Sequence, residues 1–212
     1  MNPAEKQVSY QIKNSYSTLN NYTEKTKNVW MVFHGIGYLS RFFMKYFREL
    51  NPEENYIIAP QAQSKYYLSD KYTHVGASWL TKENIETEIK NTLAYLEEVY
   101  TAEALQNAPN LILLGYSQGV SVVTRWVARN EVECSRIILH SGGLPNELQP
   151  EDFEFLQNTR VSLIYGTQDE YLNEERMKIE LDRAKKLFGD QMEIITFDGG
   201  HEVNVQAISK FA

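Results

Sequence analysis

Residues 110–129, which read NLILLGYSQGVSVVTRWVAR, constrain the fold of this chain more than any other stretch. They begin with a short uninterrupted apolar run, which is typical of a strand buried on both faces of a parallel sheet. A Gly-x-Ser-x-Gly pentapeptide centred on Ser117 follows the run. Beyond it, Val120, Val123 and Val127 recur at the spacing of an amphipathic helix. Ser117 therefore lies between a predicted buried strand and a predicted helix N-terminus.

This position favours a nucleophile over a structural serine at Ser117. In a nucleophile elbow, a tight strand-to-helix turn holds the serine in a strained backbone conformation, and the flanking glycines leave room for neighbouring backbone. The helix N-terminus supplies free N–H groups and a partial positive charge where an oxyanion would form. A serine that only caps a helix is the competing interpretation. Because both the strand and the helix are predicted, we interpret Ser117 as a nucleophile.

Composition and charge narrow the class of protein. The chain has 212 residues, of which 42% are hydrophobic and 23% charged, and no flexible linker divides it, so we expect a single domain over residues 1–212. A formal net charge of -7 argues against a nucleic-acid partner and against stable membrane association. Cys134 is the only cysteine, which excludes an intramolecular disulfide and a cysteine-rich metal site. The first twenty residues lack a signal-peptide-like apolar run, and we expect a cytoplasmic protein.

Predicted strands and helices alternate along most of the chain. We expect strands at residues 28–33, 56–59, 111–114, 136–139, 161–165 and 192–197. We expect helices at residues 39–50, at 85–99 with Thr81 as a cap, at 174–187 and near the C-terminus. The first twenty residues are predicted to form one or two edge strands, and residues 61–79 an irregular excursion. This alternation predicts an α/β fold, with a mostly parallel sheet covered by helices on both faces.

Three reactive side chains each come directly after a predicted strand, where ligands bind in such sheets. They are Ser117, Asp169 and His201, and their chain order is the order found in α/β-hydrolases. His201 would accept the serine proton, and Asp169 would orient the imidazole. The backbone N–H groups of Ile36 and Gln118 would form the oxyanion hole.

Other residues compete for some of these roles. Asp198 lies three residues before the triad histidine, but we favour Asp169 as the acid because it follows a strand of its own. We interpret His34 as structural, and His140 as a residue that supports the catalytic residues without contacting the substrate. The four histidines are scattered, and none has the short pair spacing of a metal-binding helix, so we expect no metal.

At these motifs the chain resembles the phospholipase/carboxylesterase family of α/β-hydrolases, which includes the acyl-protein thioesterases. The matching stretches span nearly the whole chain in the family's order and are FHGIG at 33–37, GYSQG at 115–119, SGGLP at 141–145, GTQD at 166–169 and GH at 200–201. The resemblance implies an α/β-hydrolase fold with a minimal cap or none, and an esterase or thioesterase that needs neither metal nor cofactor.

The chain departs from the family's pattern at the rim of the predicted site. Val120 replaces a further glycine after the serine motif, and Tyr38 replaces an aspartate after the HGIG loop. Glu170 and Tyr171 stand where family members often have proline and a small apolar residue. These changes leave the triad intact and affect the predicted substrate rather than the reaction class. Tyr38 and Trp79 are our candidate substrate-binding residues.

The sequence therefore predicts a serine hydrolase that cleaves small-molecule carboxylic esters, with short acyl groups, through an acyl-enzyme on Ser117. A thioesterase that uses the same triad is the alternative within enzymes. A catalytically silent binding protein with the hydrolase fold is the alternative from another class. The oligomeric state is left open, with a homodimer as one candidate.

Overall fold

The computed structural model describes residues 3–189 and 192–212. Its strands are β1 (Tyr16–Leu19), β2 (Asn28–Phe33), β3 (Asn55–Pro60), β4 (Ser64–Tyr67), β5 (Val75–Ser78), β6 (Leu111–Tyr116), β7 (Arg136–His140), β8 (Arg160–Gly166) and β9 (Glu193–Phe197). Its α-helices are α1 (Ser40–Phe43), α2 (Ile85–Ala102), α3 (Gln118–Asn130), α4 (Glu174–Phe188) and α5 (Val205–Ser209). Short 3₁₀ helices cover Met44–Phe47, Leu105–Asn107 and Pro150–Phe153.

The central sheet has seven strands in the order β1-β3-β2-β6-β7-β8-β9. Only β1 is antiparallel to its neighbour, and the remaining pairs are parallel. Every residue of β2 and β6 is buried, as their continuous apolar sequences require. The mostly parallel sheet is therefore confirmed, and the strands that precede Ser117 and the HGIG loop lie at its centre.

Helices cover both faces of this sheet. On one face, α2, α3 and α4 bury side chains such as Leu96, Trp126 and Leu187 against the strands. On the other face, α1 and α5 do so with Phe43 and Ile208. No helix in the described part of the chain is long and apolar enough to cross a bilayer.

The structure corrects the prediction for residues 61–79. These residues contain an antiparallel hairpin made of β4 and β5, in a register from Ser64 opposite Ser78 to Tyr67 opposite Val75. Every residue of β4 is exposed, so the strand lacks the alternation of buried and exposed residues by which a strand is recognised in a sequence. The sequence of β4 therefore has no hydrophobic period from which a strand could be predicted.

The predicted edge strands near the N-terminus are reduced to β1. Val8, Tyr10 and Ile12 lie outside any strand and are exposed. The strand pairing ends where Tyr16 lies opposite Pro60, and one further backbone bond, from the N–H of Gln61 to the carbonyl of Ser15 at 3.2 Å, follows it.

Two helix predictions also change at their ends. The predicted helix at 39–50 is divided into α1 and the following 3₁₀ turn. The cap residue of α2 is Asn84 rather than Thr81. Thr81 instead donates from its backbone N–H and its hydroxyl to Oε2 of Glu88, one turn inside the helix, at 2.6 and 3.1 Å.

Candidate active site

Ser117 occupies a strained turn between β6 and α3. Its backbone has φ 54° and ψ -119°, a positive φ that a serine seldom adopts, and its N–H donates to the carbonyl of His140 at 2.8 Å. Close backbone packing maintains the turn. A Cβ on Gly119 would collide with the carbonyl oxygen of Phe33, and a Cβ on Gly115 would lie 2.5 Å from the carbonyl oxygen of Gly119. Glycine is therefore required on both sides of the serine.

The three candidate triad residues lie within hydrogen-bond distance of one another. The Asp169 carboxylate accepts from Nδ1–H of His201 at 2.8 Å, which leaves Nε2 of the imidazole to accept from the Ser117 hydroxyl at 2.9 Å. Asp169 is only 4% exposed. Its second carboxylate oxygen accepts from the backbone N–H groups of Tyr171 and Leu172 at 2.9 and 3.0 Å. These two bonds fix the position of the carboxylate independently of its hydrogen bond to His201.

The competing acid, Asp198, faces a different partner. Its carboxylate accepts from the side-chain amide of Gln168 at 2.6 Å. The structure therefore brings Asp169, and not Asp198, to the imidazole of His201.

Two buried side chains form hydrogen bonds with the backbone of the loop that carries His201. The hydroxyl of Tyr116 donates to the carbonyl oxygen of His201 at 3.0 Å. Nε2 of His140 accepts from the backbone N–H of Asn204 at 3.0 Å, so the proton of this ring is on Nδ1, which faces the Ser141 hydroxyl at 3.0 Å. Burial lowers the pKa of His140 to about 3, and the ring is neutral at physiological pH.

The HGIG loop packs directly against the serine, since a Cβ on Gly35 would lie 3.1 Å from the Cβ of Ser117. The carbonyl of Gly35 accepts from Nδ1–H of His34 at 2.8 Å. Because a trans peptide is planar, this bond also fixes the N–H of Ile36 in the opposite direction. Among the described residues, neither this N–H nor that of Gln118, the first residue of α3, has a backbone acceptor. Both predicted oxyanion donors therefore remain free.

His34 is a buried structural side chain beneath this loop. Its Nε2 accepts from the backbone N–H of Ala62 at 3.1 Å. Burial lowers its pKa to about 4, so the ring is neutral and keeps the proton on Nδ1 that binds Gly35.

The side chain of Gln118 joins the elbow to the end of the hairpin, which the sequence analysis missed. Its Oε1 accepts from the backbone N–H of Trp79 at 2.8 Å, and its Nε2 donates to the carbonyl of Leu80 at 2.8 Å and to the hydroxyl of Ser78 at 3.1 Å. The N–H of Gly37 donates to the carbonyl of Ala77 at 2.8 Å. The only sequence signal for this link was the glutamine in the serine motif.

Ser117 and His201 open into a cleft of about 1240 Å³, which Tyr38 also lines. Trp79 does not line it, and the expectation that this side chain borders the substrate is corrected. Trp79 is 1% exposed, its indole N–H donates to the carbonyl of His34 at 2.8 Å, and its ring packs against Phe33 in the core.

The far wall of the cleft contains charged side chains that the sequence analysis did not single out. The carboxylate of Glu180 is buried, accepts from the N–H of Leu144 at 2.9 Å and lies 3.5 Å from Nε of Arg176. Arg125 donates to Glu147 at 2.6 Å. In the sequence, only the many charged residues of the helix predicted at 174–187 indicated such a wall. Within residues 3–189 and 192–212, no group of three or more His, Cys, Asp or Glu side chains is arranged to hold a metal ion.

Comparison with known proteins identifies the family. The model of the phospholipase/carboxylesterase family matches residues 14–212. The chain belongs to this family. Membership makes it a hydrolase of the esterase and thioesterase type with the α/β-hydrolase fold. No curated protein matches the chain in sequence.

Solved structures of similar fold extend over nearly all of the chain. Zea mays acyl-protein thioesterase 2 is 15% identical with a TM-score of 0.70, and the match covers 94% of this chain and 97% of that one. A phospholipase/carboxylesterase from Dyadobacter fermentans DSM 18053 is 20% identical with a TM-score of 0.68, covering 95% and 97%. The esterase PE8 is 22% identical with a TM-score of 0.69, covering 94% and 98%. At these identities the likeness shows the shared fold.

Proposed function

We propose that this hydrolase cleaves carboxylic esters through an acyl-enzyme on Ser117. The observation that carries the proposal is the continuous hydrogen-bonded chain from the Ser117 hydroxyl, through His201, to the buried carboxylate of Asp169. A serine hydroxyl is a weak nucleophile at neutral pH unless a neighbouring base removes its proton. The imidazole is positioned as that base, and the carboxylate stabilises the imidazolium that forms.

In the proposed reaction, Oγ of Ser117 attacks the carbonyl carbon of the ester while Nε2 of His201 takes the hydroxyl proton. The resulting oxyanion accepts hydrogen bonds from the N–H groups of Ile36 and Gln118. His201 then gives its proton to the leaving oxygen, the bond between carbon and that oxygen breaks, and the alcohol departs. Water, deprotonated by the same imidazole, then attacks the acyl carbon. The bond from that carbon to Oγ of Ser117 breaks, His201 returns the proton to Oγ, and the carboxylic acid is released.

The proposed substrates are small molecules with a short acyl group. The charged side chains on the far wall of the cleft, Arg125, Glu147 and Arg176, support this choice. A long alkyl chain placed against them would gain little from burial, and it would displace water from charged groups at a cost.

The direct test is hydrolysis of p-nitrophenyl esters from acetate to palmitate by the wild type and Ser117→Ala. We expect activity that peaks at a short chain and falls by roughly 10⁴-fold or more in the variant, as for removal of a triad nucleophile. Ser121→Ala is the matched control, since Ser121 also lines the cleft but its hydroxyl donates to the carbonyl of Gln118. Full activity of Ser117→Ala would exclude the proposal.

Two further measurements separate the alternatives. A fluorophosphonate should add its mass to the wild type and not to Ser117→Ala, whereas a silent binding protein would remain unlabelled. A thioesterase forms the same acyl-enzyme, so an oxygen ester and a thioester of one acyl group should be compared by kcat/KM. A much larger kcat/KM for the thioester would replace the ester proposal by the thioesterase alternative.

A further inference from the structure

Four rings form a continuous row along one wall of the cleft. The ring centroids of Tyr38 and Tyr116 lie 6.0 Å apart, those of Tyr116 and His201 5.4 Å, and those of His201 and Tyr171 4.8 Å. All four residues line the same cleft as Ser117.

The position of His201 within the row indicates which part of a substrate would meet it. In the proposed reaction, Nε2 of His201 protonates the leaving oxygen, which must therefore come within hydrogen-bond distance of the imidazole. The imidazole is flanked by Tyr116, which is buried, and by Tyr171, which is exposed. The group attached to that oxygen therefore meets Tyr171, and this end of the row faces the alcohol part of an ester rather than its acyl part.

The two ends of the row are held in place by different contacts. The ring of Tyr38 is half-buried, packs against Phe43 with centroids 5.8 Å apart, and its hydroxyl lies 3.1 Å from that of Tyr46. Tyr171 is 65% exposed and meets the imidazole edge-on at 71°. Its backbone N–H is bound by Asp169, so the exposed ring is anchored next to the triad. It offers aromatic surface at the point where the alcohol leaves.

We infer that Tyr171 forms the wall of a leaving-group subsite that takes a flat aromatic ring, so that esters of benzylic or phenolic alcohols are the preferred substrates. This inference rests on the proposed function. Aromatic rings attract one another at centroid separations of about 4.5–7 Å beyond the effect of burial, and a further ring would extend the row. A cationic alcohol is disfavoured, because His201 itself becomes positively charged as the reaction proceeds.

Benzyl acetate and cyclohexylmethyl acetate provide a matched test. The two alcohols are similar in size and basicity and differ in aromatic character, and both esters give the same acetyl-enzyme. We expect the wild type to favour benzyl acetate by about five- to ten-fold in kcat/KM, the range of an aromatic pair. In Tyr171→Leu the ratio should fall to about one, and Tyr171→Phe should retain it.

Tyr72→Leu is the control, since Tyr72 is 71% exposed but lies on the hairpin outside the cleft lining. It should keep the wild-type ratio. Equal kcat/KM for the two esters in the wild type, or an equal loss for both in Tyr171→Leu, would overturn the subsite. Failure of the proposed function is distinguishable, because neither ester would then be hydrolysed faster by the wild type than by Ser117→Ala.

Discussion

The two halves of the candidate site are built on different kinds of structure. Ser117 and the HGIG loop follow β6 and β2, whose residues are all buried in the middle of the sheet. Asp169 and His201 follow β8 and β9. β9 is an edge strand, and all of its residues are exposed or half-buried. Ser117 therefore follows a central buried strand, whereas His201 follows an exposed edge strand and meets the core through the side chains of Tyr116 and His140 beneath its loop.

The means of positioning differ accordingly. Around Ser117 the turn is fixed by backbone atoms in close contact, and the clearances at Gly115 and Gly119 leave no space for a methyl group. On the histidine side, a Cβ on Gly166 would likewise collide with the carbonyl oxygen of Gly199, and the loop is in addition fixed by polar side-chain contacts from Tyr116 and His140. We therefore expect added volume to be costly in both halves, and the loss of single side-chain hydrogen bonds to matter most in the histidine half.

The largest effect is expected in the histidine half, for Asp169→Asn. The amide oxygen would face the N–H groups of Tyr171 and Leu172, so the NH2 would face Nδ1 of His201 and favour the wrong tautomer. The neutral amide also cannot stabilise the imidazolium, and kcat for a p-nitrophenyl ester should fall by about 10⁴-fold. Asp198→Asn is the control and should change kcat less than two-fold, since its partner is Gln168. A larger loss in Asp198→Asn would reverse the assignment of the acid.

Next in size is Gly119→Ala in the nucleophile half. The added methyl group must displace the backbone of β2 at Phe33, and we expect about 3 kcal/mol of unfolding free energy to be lost. Urea denaturation measures this. In Gly143→Ala the new Cβ would meet only side-chain ends of Arg176 and Glu180 at 3.1 Å, and the loss should stay below about 1 kcal/mol. Equal losses would mean that the backbone contact at Gly119 costs no more unfolding free energy than the side-chain contact at Gly143.

Each half also contains a buried neutral histidine. We therefore expect the free energy of unfolding to fall in acid. The pKa is lowered from 6.5 to about 4 in His34 and to about 3 in His140, so the unfolded chain takes up these protons before the folded one. Stability should therefore be lost as pH falls below 6.5, by roughly 1 kcal/mol per histidine between pH 6.5 and 5.5. Urea denaturation at both pH values should show this loss, and His140→Phe should show about half of it. An unchanged dependence in that variant would contradict the prediction.

The smallest effect is expected for Tyr116→Phe, which removes only the hydroxyl that binds the carbonyl of His201. One hydrogen bond contributes about 1 kcal/mol, so kcat should fall about five-fold with KM unchanged. Tyr95→Phe is the matched control, because the hydroxyl of this half-buried tyrosine donates to the carbonyl of Ser15 at 2.7 Å outside the cleft. It should reduce stability without lowering kcat. A wild-type kcat in Tyr116→Phe would show that the histidine loop does not need this bond.

The two halves were also unequally predictable from the sequence. The strands before Ser117 and Asp169 are largely apolar runs, as in buried parallel strands, whereas the strand before His201 is an exposed edge strand. The contacts that position the site depend on residues far apart in sequence, such as Tyr116 and His201, which are 85 residues apart. Trp79 was misplaced because residues 61–79 show no hydrophobic period that would assign its side chain to the core.

The hairpin differs along its length in how much sequence change it should tolerate. The bonds that join it to the elbow and to the HGIG loop end at residues 77–80. Its tip, residues 69–73, lies beyond all of them and outside the cleft lining. Insertions at the tip should therefore leave the N–H groups of Ile36 and Gln118 in position, and the tip is a permissive site for attaching a label or a further domain.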